Sequence, residues 1–141
     1  KLVDGQQFER FRLVLGRLPQ MSPDVPHLPH GRHLLLDLSG IDAAALRDAA
    51  GIEGLLRSAA TLAGATPLGA QFHHFGAGAG VTGVVILQES HISIHTWPEH
   101  GFAAIDIFMC GATHPETAAD HLIARLKPNR HELRSLQRIS A

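Results

Sequence analysis

Apolar residues recur at two different spacings along this chain, and the switches between them mark its elements. Phe8, Phe11, Leu15 and Leu18 fall at three- and four-residue steps, which predicts a short amphipathic helix over residues 4–17. Pro19, Pro23, Pro26 and Pro29 then crowd residues 18–31, the composition of a linker. Residues 1–30 therefore read as an appended helical arm and Pro-rich linker, and residues 31–141 as the globular domain. Within that domain residues 32–38 read as a strand. Asp42 stands where it can cap a helix bearing Leu46, Ala49, Leu56, Ala60 and Ala63 before Gly64. Residues 66–75 predict a second strand, and Gly76, Gly78 and Gly80 a flexible turn. Residues 81–87 are a β-branched run. Strict alternation follows, with His91, Ser93 and His95 directed to one face of a strand and Ile92 and Ile94 to the other. Residues 97–101 turn the chain, and 102–110 return as another strand. Thr113 and Glu116 have the spacing of a capping box for a helix carrying Ala119, Leu122, Ile123 and Leu126. A last strand is expected near residues 131–136. The order β, α, β, β, β, α, β predicts an α+β two-layer sandwich, an antiparallel sheet covered by two helices on one face.

Composition narrows the setting. The length of 141 residues suits one core, and 12 Lys+Arg against 13 Asp+Glu leave no bulk charge to recruit nucleic acid. No apolar run approaches the roughly 20 residues of a membrane span, and no basic-then-apolar leader opens the chain, so a cytoplasmic location is expected. The one cysteine, Cys110, rules out an internal disulfide framework and leaves either a buried structural thiol or a reactive one.

The chemistry concentrates in residues 88–101 and 105–111. If the two strands flanking the Trp97–Gly101 turn pair, the segment places a hydroxyl, an imidazole and a thiol in range of one another. A Ser/His pair suggests nucleophilic chemistry, yet the Gly-x-Ser-x-Gly signature of acyl-transfer hydrolases is absent. Eleven histidines invite a metal reading. His91 and His95 share a strand face about 13 Å apart, too far for one ion, so no metal site is expected. His73, His74 and His91 read as locally bonded strand or edge residues.

Glu89-Ser90-His91-x-Ser93-Ile94-His95-Thr96-Trp97-Pro98-Glu99, followed by Asp106-Ile107-Phe108-x-Cys110-Gly111, resembles the signature of prokaryotic S-adenosylmethionine decarboxylase proenzymes, which are pyruvoyl-dependent. Gly31-Arg32-His33-Leu34, Phe72-His73-His74-Phe75 and Gly80-Val81-Thr82-Gly83-Val84-Val85 extend the likeness over about residues 31–131, with no counterpart for the arm. The resemblance implies a chain that cuts itself between Glu89 and Ser90, into residues 1–89 and 90–141, and converts Ser90 into a pyruvoyl cofactor. It implies that Thr82 donates a hydrogen bond to the oxyanion of the cleavage and that His95 removes the Cα proton of residue 90. Cys110 would return a proton to the decarboxylated substrate, Glu99 would bind the ribose hydroxyls, and Phe75 would stack on adenine. The partners implied are a small-molecule substrate, with decarboxylated product supplied to spermidine synthesis, and a second copy in a homodimer. No membrane partner is expected. Decarboxylation of ornithine or arginine on the same scaffold, or a processing-dead regulatory homologue, are the competing readings.

Overall fold

The computed structural model describes residues 29–140. The expected helix over 4–17 and most of the Pro-rich linker lie outside the described residues. Six antiparallel strands form one sheet: β1 (His30–Ser39), β2 (Pro67–His74), β3 (Val81–Leu87), β4 (Ser90–Trp97), β5 (Phe102–Cys110) and β6 (Arg130–Ile139), in the spatial order β2-β3-β4-β5-β1-β6. Three helices accompany them: α1 (Ala43–Arg47), α2 (Ala49–Leu62) and α3 (Pro115–Leu126). None is long and apolar enough to cross a membrane.

The period-two pattern divides the sheet into unlike faces. Leu34, Leu36 and Leu38 of β1, Ile92 and Ile94 of β4 and Ile105 and Ile107 of β5 are buried, and they meet Leu46, Leu56 and Leu122 from the helices. Burial of apolar area at about 25 cal/mol per Å² drives this packing. The intervening residues face away from the helices and stay half-buried or exposed.

Helix count and caps depart from expectation. The stripe read as one helix from Asp42 is two, because Asp48 leaves helical geometry (φ −85°, ψ 85°) and its carboxylate accepts the Gly51 N–H at 2.9 Å, starting α2 afresh. Asp42 makes no capping bond. The expected capping box is also absent: His114 is the N-cap of α3, the Thr113 hydroxyl instead donates to the Cys110 carbonyl at 3.0 Å, and Glu116 pairs with Arg32. β6 runs longer than expected, since its whole length pairs with β1.

Candidate functional site

Strands β3 and β4 are joined by only Gln88 and Glu89, a two-residue hairpin loop. Such loops favour Gly or Asn where φ is positive, yet Glu89 holds φ at 66°. A side-chain-bearing residue in this left-handed region stores about 1–2 kcal/mol. The strained residue is the one whose carbonyl joins Ser90. Ser90 opens β4 half-buried, its hydroxyl 3.3 Å from the Gln88 carbonyl oxygen to which it donates.

β5 brings the thiol to this end of the sheet. His91 pairs with Phe108, so the antiparallel register carried two residues further sets Glu89 beside Cys110. Both line an open cleft of about 820 Å³ together with His30, Phe108 and Arg138. Burial, reinforced by the negative charge of Glu89, pushes the Cys110 thiol above its ordinary range, so it remains protonated at neutral pH.

The other expected residues gather at the far end of the same hairpin. Thr82 pairs with His95 across β3 and β4, and the threonine Oγ1 lies 3.0 Å from His95 Nδ1. The His95 ring neighbours Trp97, which in turn packs on Phe102. Glu99 sits in the short 3-10 turn Pro98–His100, and Phe75 is exposed at the end of the glycine loop. Phe75, Thr82, His95, Trp97 and Glu99 line a second cleft of about 650 Å³.

Thus the expectation that hydroxyl, imidazole and thiol lie within mutual reach in one chain needs correction. The strands pair across the turn as expected, but His95 is five residues along β4 from Ser90, about 17 Å at the standard rise. Ser90 and Cys110 occupy one end, and Thr82, His95, Glu99 and Phe75 the other.

Between the two ends lies a polar group that the sequence reading passed over. Asp106 accepts a hydrogen bond from the Ser93 hydroxyl at 3.2 Å and sits 3.3 Å from His33 Nε2, and the His91 ring meets both His33 and Phe108. Burial, then the charge of His33, holds His91 below its usual range, with Arg138 acting in the same direction and Asp106 opposing. The alternation of His91 and Ser93 with Asp106 opposite was the available signal. Thr96 was also missed. Nearly buried, it donates to the Leu46 carbonyl at 2.8 Å and accepts from the Val81 N–H at 2.8 Å, fixing the base of the hairpin against α1. Gly80 passes so close to the Thr96 carbonyl that a Cβ has no room.

Comparison with known proteins agrees with this architecture. The family model described as S-adenosylmethionine decarboxylase matches residues 32–139. An S-adenosylmethionine decarboxylase proenzyme of Pyrobaculum aerophilum is 43% identical over 104 residues, covering 73% of this chain and 83% of that protein. A proenzyme of the same description from Synechococcus sp. is 49% identical over 109 residues, 77% of this chain and 84% of its own. The crystal structure of the adenosylmethionine decarboxylase from Aquifex aeolicus is similar with a TM-score of 0.72 at 37% identity, covering 83% of this chain and 95% of that one.

Proposed function

Because the chain belongs to the S-adenosylmethionine decarboxylase family and is a carboxy-lyase of that type, we propose that it activates itself by cutting the Glu89–Ser90 bond and then decarboxylates S-adenosylmethionine for spermidine synthesis. The observation that carries the self-cleavage is the strained hairpin loop: Glu89 at φ 66° precedes a serine whose hydroxyl already lies against this loop, with Cys110 alongside. The residues fit the pyruvoyl group that the relatives' description as proenzymes suggests, since a serine able to give it stands on the C-terminal side of the proposed cut.

In this reading Ser90 Oγ attacks the Glu89 carbonyl carbon, and the acyl group moves from nitrogen to oxygen. The Thr82 hydroxyl donates to the oxyanion that develops, a role worth several kcal/mol for a preorganised donor. His95, whose Nδ1 is tied to Thr82, presents its other ring nitrogen for the Ser90 Cα proton. The Cys110 thiol, kept protonated by burial and by Glu89, holds the proton that the substrate carbon takes up after CO2 leaves. Phe75 and Glu99 offer an aromatic face and a carboxylate to the nucleoside. The pyruvoyl ketone supplies the electron sink for the decarboxylation.

One chain cannot assemble these parts, given the 17 Å between its two clusters. We therefore read the site as shared by two copies. A two-fold axis near the Ser93–Asp106 row carries the partner's far end onto the Ser90–Cys110 end and returns the favour in the same operation. The helix-free sheet face is suited to this, since it exposes Ile86 (51%) and Leu136 (53%) around half-buried polar groups, and two such sheets pack face to face at about 10 Å. Intact mass spectrometry tests the cleavage: wild type should give fragments 1–89 and 90–141, and Ser90→Ala a single folded chain. CO2 release from labelled S-adenosylmethionine, ornithine and arginine in parallel tests the substrate. An uncut wild type, cleavage persisting in Ser90→Ala, or release from a basic amino acid alone would overturn the reading.

A further inference from the structure

Self-cleavage creates a charge that the intact chain does not have. On the reading above, one water is consumed overall. Loss of the Ser90 Cα proton breaks the Cβ–Oγ bond, Glu89 departs with both oxygens as a carboxylate, and the nitrogen of residue 90 leaves as ammonium. Fragment 1–89 then ends in a new α-carboxylate, on a residue that already carries a side-chain carboxylate beside the Cys110 thiol. Glu89 is exposed, so water screens part of that second charge, but it lies beside the half-buried Cys110 thiol, where a nearby cation would stabilise it further.

The sheet register provides one. Gly31 pairs with Cys110 on one side and with Arg138 on the other, and the β4–β5 register continues the row to Glu89. Glu89, Cys110, Gly31 and Arg138 therefore lie abreast, the outer two three strand spacings apart, about 14 Å. Gly31 is the reason that the row can close. It has no side chain, and a Cβ there would come within 2.9 Å of Cys110 Sγ and of the Phe108 ring. The long Arg138 side chain crosses this gap, and its guanidinium carbon stands 5.1 Å from the Phe108 ring centroid, in the cleft that Glu89 and Cys110 also line. We infer that Arg138 is the positioning residue that holds the new Glu89 carboxylate after the cut, seating the end of fragment 1–89 and shielding the Cys110 thiol from its charge. Arginine suits the task because its fork binds a carboxylate through two parallel hydrogen bonds while its plane lies over an aromatic ring.

The inference rests on self-cleavage, which the wild-type mass reports independently. The test compares Arg138→Gln and Arg138→Lys in two substrate-free backgrounds, the self-cleaved protein and the uncut Ser90→Ala chain. Arg138→Gln should lower the Tm of the cut protein by roughly 4 °C or more beyond its effect on the uncut chain. Arg138→Lys should recover most of that loss. Alkylation of Cys110 by iodoacetamide should need a higher pH in cut Arg138→Gln than in cut wild type, with no such shift in the Ser90→Ala background. Equal Tm losses in both backgrounds would reduce Arg138 to packing over Phe108, and no loss in either would also overturn the inference. So would a folded Arg138→Gln chain that fails to cut, because the carboxylate assigned to Arg138 exists only afterwards. An uncut wild type would instead overturn the self-cleavage reading itself.

Discussion

Mixing two dead chains should restore activity if the site is shared between copies. Ser90→Ala removes the nucleophile from one end of β4, and His95→Ala removes the imidazole from the other, about 17 Å away. Each homodimer lacks one of the two groups in both of its sites. A mixed dimer has one site with the serine of the His95→Ala chain and the imidazole of the Ser90→Ala chain, while its second site lacks both. With random pairing at equal expression, half of the dimers are mixed and half of their sites are complete, so about a quarter of wild-type activity should return. The same arithmetic applies to processing: about a quarter of all chains should be cut, every one of them a His95→Ala chain. Co-expression with distinguishable affinity tags, intact mass of the mixed dimers and CO2 release provide the assay. A control runs in the opposite direction. Wild type co-expressed with the Ser90→Ala/His95→Ala double variant should retain about a quarter of full activity, where a site confined to one chain would retain about half. No cleavage in the mixed dimers, or retention of half in the control, would refute the shared site.

Three further outcomes follow from the geometry. Thr96→Val leaves the Val81 N–H and the Leu46 carbonyl without their partner, and should destabilise the Ser90→Ala chain by about 1–3 kcal/mol in denaturant unfolding; a loss below about 0.5 kcal/mol would dismiss the bridging role. Glu89→Gln in the Ser90→Ala chain removes the negative charge that helps to hold Cys110 protonated, so the thiolate becomes easier to form. The pH midpoint of Cys110 alkylation should fall, and an unmoved midpoint would leave burial as the whole cause. Cys110→Ala should still cut itself, while CO2 release drops by roughly 100- to 10,000-fold; unimpaired release would make the thiol a packing group.

The fold was legible because its signals are local. Alternation in residues 91–95 and the β-branched run before it place β3 and β4, and the apolar stripes place α2 and α3. What escaped depends on competition between neighbouring groups. Asp42 and Asp48 are equally good capping residues on paper, and only the chain's path decides that Asp48 reaches the Gly51 N–H. Thr113 and Glu116 match a capping box, but Thr113 turns back to the Cys110 carbonyl at the end of β5, and Glu116 is drawn to Arg32 on a strand that no window of a few residues contains. Asp106 is a similar case, since its partners Ser93 and His33 come from the two strands on either side of β5.

The candidate site shows a different limit. Residues 89–99 form one continuous motif, and continuity in sequence suggests proximity in space. On a strand it means the opposite, because each residue advances the chain by about 3.3 Å and a motif of this length spans most of the sheet. Ser90 and His95 even differ in parity, so alternation directs their side chains to opposite sides of β4, and an imidazole brought by a partner over the helix-free face meets the Cα–H side of residue 90 rather than its hydroxyl. On the proposed reading of a site shared by two copies, the motif is two half-sites joined by a spacer, with Ser90 and Cys110 at one end and Thr82, His95 and Glu99 at the other. If a two-fold axis passes near the middle of the motif, the spacer length sets the offset between the half-sites, and a single strand serves both ends of the dimer. Lengthening or shortening β4 by one residue between Ser90 and His95 would move His95 by one step and reverse its face, so such an insertion or deletion should leave the chain uncut, and normal cleavage would refute the spacer argument.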